Sequence, residues 1–149
     1  MWSDKQSISL SKLFILLFIT ALVLAVLFAP WLVRRFLDFS RADLQGSEIF
    51  FLTTIYTGSL PAGYLLYNLF YLLRRIEADL VFIPGNVELL RRISWSCFAG
   101  AGLGLVSAAY YFPWMFVAIS AAFMGLIVRV VKNVVAKAVQ LQDEVDYTV

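Results

Sequence analysis

The chemistry open to this chain is narrow, because the side chains that most often carry it are missing. It has no histidine and one cysteine, Cys97. That removes disulfide frameworks, thiol-rich metal sites and the commonest general base together. Cys97 lies in the apolar run Trp95-Ser-Cys-Phe-Ala, where a small packing residue is expected; a reactive thiol wants a cationic, partly wet setting. What remains are hydroxyls and amides, concentrated between residues 49 and 73: Thr54, Thr57, Tyr64, Tyr67 and Asn68. Hydroxyls without an activating base, buried carboxylate or metal make hydrogen bonds, not nucleophiles. The expectation is a protein that is not an enzyme, with no catalytic residues, no metal and no cofactor.

Those groups sit in a chain made for lipid. Hydrophobic residues make up 62% of the 149 and charged ones 15%, too few charges to cover a soluble globule. The charges also cluster, leaving long uncharged gaps. A helix needs roughly 20 apolar residues to cross about 30 Å of hydrocarbon. The gaps predict spans over 13–33, 49–73, 93–112 and 114–131, followed by a cytoplasmic tail over 132–149. Pro113 in Tyr110-Tyr-Phe-Pro-Trp114 divides an apolar run too long for one crossing, and Pro61 should kink the second span. The fold class expected is all-α: a four-helix transmembrane bundle in a single integral membrane domain, 1–149. A short cytoplasmic amphipathic helix precedes span three, and a C-terminal helix extends span four.

Orientation follows the basic residues. With four spans, Lys5, Lys12, Arg74, Arg75, Arg91, Arg92, Arg129, Lys132 and Lys137 share one side. Arg34, Arg35 and Arg41 lie on the other, beside Asp38, Asp43 and Glu48. Both termini are therefore expected in the cytoplasm of a bacterial inner (cytoplasmic) membrane, with Arg34-Arg35 the one dissonant feature. No Asp, Glu, Lys or Arg falls in the centre of a span, which argues against a proton-coupled transporter or ion channel built from one chain.

Small residues provide the packing signals. Gly100, Gly104 and Ala108 recur at four-residue spacing in span three, and Gly125 lies in span four. Such spacing serves either a homo-oligomer face or contact between the chain's own helices, and the second is favoured because spans three and four share a short hairpin. In the central loop, Pro84 can open a helix, and Val87, Leu90 and Ile93 then recur at helical spacing. The arginines bracketing this loop are expected to reach membrane lipid headgroups, not nucleic acid. In the tail, Ile127, Val131, Val134, Ala138, Leu141 and Val145 form a stripe that needs a partner. The preferred expectation is an intrachain pairing of Glu144 or Asp146 with Arg91 or Arg92, which would join the tail to the loop.

Two segments carry a family resemblance. Phe82-x-x-x-Asn86-Val87-x-x-Leu90-Arg91-x-Ile93 and Ala138-x-x-Leu141-x-x-Glu144-x-Asp146-x-Thr148-Val149 resemble the loop and tail signatures of the bacterial four-span membrane group catalogued as domain of unknown function 2975. The chain departs from that pattern at Val145, Tyr147 and Pro84-Gly85. The resemblance implies no activity or cofactor. It implies a membrane-bound regulatory protein whose partner is a small helix-turn-helix transcription regulator.

The leading expectation is thus a non-enzymatic regulatory or sensory membrane protein that binds a cytoplasmic protein. Its interaction motif is Phe82, Asn86, Leu90, Arg91, Arg92, Glu144, Asp146 and Thr148. The alternative is a small transporter, or a subunit binding lipid or another small molecule, with Thr54, Thr57, Tyr64, Tyr67 and Asn68 lining a cavity.

Overall fold

Ser3 caps the first helix: its side chain accepts from the Gln6 N–H while the Gln6 side chain accepts from the Ser3 N–H, a reciprocal arrangement that satisfies two orphan donors. The computed structural model describes residues 3–40 and 46–148. Among the described residues it is all-α, with no strand and five helices: α1 (Asp4–Leu27), α2 (Ala29–Phe39), α3 (Glu48–Glu77), α4 (Pro84–Ser107) and α5 (Trp114–Thr148). Arg41, Asp43 and Val149 lie outside the described residues, as does the Thr148 side chain.

Three helices, α1, α3 and α5, are long and apolar enough to cross a membrane. The first apolar run does not continue to residue 33, however. The helix breaks at Phe28, and α2 begins with proline in its first turn. Pro30 brings no N–H and crowds the carbonyl one turn earlier, so the axis changes there. Ala29 and Val33 of α2 are buried, while Trp31, Leu32 and Phe39 are exposed.

Pro61 stands within α3 without ending it. The central loop helix and the third apolar run are one element, α4, and it stops at Ser107, short of residue 112. α4 is not among the three membrane-length apolar helices, and the reason lies in its place. It packs against α3 on one side and α5 on the other, and it contributes more buried residues than any helix before it. A helix screened from lipid by its neighbours can carry glycine and serine where a lipid-facing one carries leucine.

Backbones approach in the order α1–α3–α4–α5, with α2 lying against α1 and α3. Among the described residues, α3 makes no close backbone approach to α5, nor α1 to α4 or α5. The best-packed cluster, Leu72, Leu89, Leu90, Ile93 and Cys97, joins the end of α3 to the start of α4. Lys12 of α1 meets Glu77 of α3 at 2.7 Å at that same end. Arg34 meets Glu48 at 3.1 Å at the other, and Arg35 lies over the Trp31 ring, 5.6 Å from its centroid. The Arg34-Arg35 pair is thus held by a carboxylate and an aromatic face. The ends are called basic and aromatic below.

Candidate functional site

The hydroxyls of α3 do not converge on one cavity. Thr54 hydrogen-bonds Ser107 at 2.8 Å and also the Tyr110 hydroxyl, and Tyr110 in turn donates to the Phe50 carbonyl. This knot ties α3 to the α4–α5 turn at the aromatic end. Thr57 donates to the Thr53 carbonyl of its own helix at 2.6 Å. Tyr64 and Tyr67 are exposed, and Tyr67 packs edge-on against Tyr71. Asn68 is fully buried, donating to the Tyr64 carbonyl at 2.7 Å; its Oδ1 has no donor among the described residues.

The small residues divide by what lies opposite them. A Cβ built on Gly104 would come 3.1 Å from the Ala118 nitrogen of α5, and one on Gly125 would come 3.0 Å from the Phe98 ring of α4. Ser94 adds a buried hydrogen bond to the Gly125 carbonyl, 3.1 Å. These residues make α4 and α5 a close-packed seam. Ala108 caps the end of α4. Gly100, one turn from Gly104, has nothing within 4 Å of its Cβ position, and neither has Gly58 on α3.

Between α3 and α5, in front of α4, lies a hollow of about 450 Å³ whose walls include Thr54, Gly58, Ala62, Gly100 and Ala121, with Leu22 of α1 closing one side. A second hollow of about 370 Å³, bounded by Val33, Phe36, Phe51 and Tyr111, shares Ile55, Trp114 and Val117 with the first. The rings of Phe36, Phe51 and Tyr111 pack at centroid distances of 5.2–5.7 Å around it. The Trp114 Nε1–H is buried and has no acceptor among the described residues. Of the five polar residues singled out on α3, Thr54 alone reaches either hollow. For the other walls of the first hollow the signal in the sequence is the small residues Gly58, Ala62, Gly100 and Ala121 on three helices.

The loop and tail motifs are distributed across the basic end. Asn86 is buried and donates to the carbonyls of Leu80 and Val81, both at 2.7 Å, so it ties the α3–α4 connection to the first turn of α4. Leu90 belongs to the core cluster. Phe82 is exposed. Arg91 and Arg92 both turn to Glu88 on their own helix, at 3.1 and 3.5 Å. Arg129 of α5 lies over Trp95 of α4, 5.6 Å from the centroid.

On α5, Val128 and Val135 pack toward the core of the basic end. The stripe noted in the sequence faces the other way: Val131, Val134 and Leu141 are 45%, 62% and 52% exposed. Val134, Lys137, Ala138 and Leu141 line a shallow surface groove there. Asp146 is exposed on the same extension. Among the described residues no cluster of three or more metal-ligating side chains forms.

The family model described as "Protein of unknown function (DUF2975)" matches residues 11–149, so the chain belongs to that family. No curated protein and no solved structure matches it.

Proposed function

We propose that this DUF2975 protein is a non-enzymatic, four-span regulatory protein of a bacterial inner membrane, with both termini in the cytoplasm. In this reading it passes the state of its membrane part to a cytoplasmic protein docked on α5. α4 would be the crossing that apolarity alone does not reveal. It runs antiparallel to α5 along the Gly104–Ala118 and Gly125–Phe98 seam, so where α5 crosses, α4 returns through the same depth.

The observation that carries the reading is the reach and facing of α5. Its 35 residues span about 52 Å against about 30 Å of hydrocarbon, so its final turns extend past the membrane. They keep an apolar stripe that this chain's own core leaves uncovered at Val134 and Leu141. An amphipathic helix with such a face suits a partner offering an apolar groove. Lys137 on the groove's edge and the arginines of α4 favour a partner with acidic rims. The family resemblance points to a small helix-turn-helix regulator as its class.

The test is a photo-crosslinker at residue 141, followed by purification from native membranes. A cytoplasmic protein is expected to be captured by the parent chain and lost in Val134→Asp. Equal capture by both, or none by either, sinks the reading. Capture of a second copy of the chain instead would make the stripe an oligomer interface.

A further inference from the structure

We propose that the hollow bounded by α3, α4 and α5 seats one acyl chain of a bilayer phospholipid, whose glycerol end lies toward the aromatic end of the protein. This does not rest on the cytoplasmic partner, and it stands or falls separately from it.

The hollow is built by omission. Gly58 and Gly100 face open space where any other residue would project a side chain, and Ala62 and Ala121 add the least that a chiral residue can. The seam one turn away shows that glycine elsewhere in α4 serves close contact, because Gly104 could not take even a Cβ without moving Ala118. The spatial order of the helices explains the gap: with α3 and α5 each on α4 and not on each other, a trough opens between them.

What fills it follows from where it is. Protein interiors pack close to crystal density, and an apolar hollow offers water few of the hydrogen-bond partners that would hold it there. Both hollows are lined chiefly by hydrocarbon side chains, and three of the helices that line them, α1, α3 and α5, have the length and apolarity to cross a membrane. At that depth the other material at hand is an acyl chain. The two hollows, about 450 Å³ and 370 Å³, meet at Ile55, Trp114 and Val117 and extend toward Phe36 and Tyr111. Their sizes lie in the range of small-molecule sites, roughly 300–1,000 Å³.

Polarity orients the guest. The Thr54–Ser107–Tyr110 knot and Trp114 stand at the aromatic end, whereas the opposite part of the hollow ends on Leu65, Cys97 and Met124, with the Ser96 hydroxyl given to the Arg92 carbonyl. The Trp114 N–H lacks an acceptor among the described residues. An ester carbonyl at the head of an acyl chain is an acceptor of the required kind.

The full-length protein, extracted in mild detergent and analysed by native mass spectrometry, tests this. One phospholipid per chain is expected to remain bound. Gly58→Leu with Gly100→Leu, which fills the hollow and spares the seam, should lower that occupancy at least ten-fold with helicity unchanged by circular dichroism. A wild-type chain that retains no lipid, a bound free fatty acid in place of a phospholipid, or equal occupancy in the filled variant overturns the proposal. Should the filled variant fail to fold, the wild type decides. Phosphatidylethanolamine with long chains should be retained well over short-chain phosphatidylethanolamine, and equal retention overturns the seat. Trp114→Phe should release the lipid several-fold faster on dilution; unchanged release overturns the assigned orientation.

Discussion

The α4–α5 seam and the α3–α5 gap are built from the same residue types and do opposite things. In the seam, Gly104 and Gly125 let backbone and ring approach until a Cβ would have to push its neighbour aside by a few tenths of an ångström. In the gap, Gly58 and Gly100 leave space that no side chain of the described residues enters. Without a hydrophobic drive between helices in lipid, close approach at small residues supplies the attraction. A small residue contributes that attraction only if a partner helix lies opposite. Gly100 and Gly104 lie one turn apart on the wall of the same hollow, yet a Cβ would meet Ala118 at the second and nothing within 4 Å at the first.

The largest effect should come from breaking the seam. Gly104→Leu must push α5 away at Ala118 and is expected to cost at least about 2 kcal/mol, seen as a marked fall in thermal midpoint in detergent. Gly100→Leu, pointing into the hollow, should leave the midpoint unchanged or raise it. Equal losses would erase the distinction between the two regions.

Next comes the link that anchors the start of α4. Asn86→Leu leaves the Leu80 and Val81 carbonyls without the donors they now have. A loss of about 1–3 kcal/mol is expected, together with faster proteolysis of the loop before Pro84. A smaller effect should follow from Thr54→Val, which unties α3 from Ser107 and Tyr110. About 1 kcal/mol is expected, and it should widen the gap without disturbing the seam. Cysteine cross-linking in a Cys97→Ser background, between α3 and the α4–α5 turn, would report that widening.

The smallest effect belongs to neither region. Asp79 has φ +63° at the end of α3, where the Leu80 N–H bonds the Arg75 carbonyl in a left-handed helix stop that glycine suits best. Asp79→Gly is expected to raise the thermal midpoint slightly, by an effect of at most about 1 kcal/mol. A loss would mean that the Asp79 side chain has a role of its own.

Much of the helix plan was legible in the residues. The start of α5 at Trp114 after Pro113 and the running of the loop helix into the third apolar run follow from local rules. The break at Phe28 carried a signal as well, Pro30, but an apolar run that continues past a proline looks uninterrupted to a count of hydropathy. The loop signature was read as an interaction motif, while the structure turns Asn86 and Leu90 inward and leaves Phe82, Arg91 and Arg92 outside. An asparagine two residues past a helix-opening proline has nearby backbone carbonyls within reach, and that local option is the one it takes. The hydroxyls of α3 were grouped because they are neighbours in sequence. They point around the helix, so they answer to different surroundings.

The sequence by itself determined that the chain is helical and suited to lipid, where α3, α4 and α5 begin, and that it holds no histidine and a single cysteine. Each of these depends on short stretches: the length of an apolar run, a cap, a proline, the absence of a residue type. Only the tertiary structure decided which face of each helix meets another. That choice depends on the order α1–α3–α4–α5 in space, which no local stretch encodes. It is the order that makes Gly104 a contact and Gly100 a vacancy, turns the α5 stripe outward, and places α4, which is not among the membrane-length apolar helices, between α3 and α5.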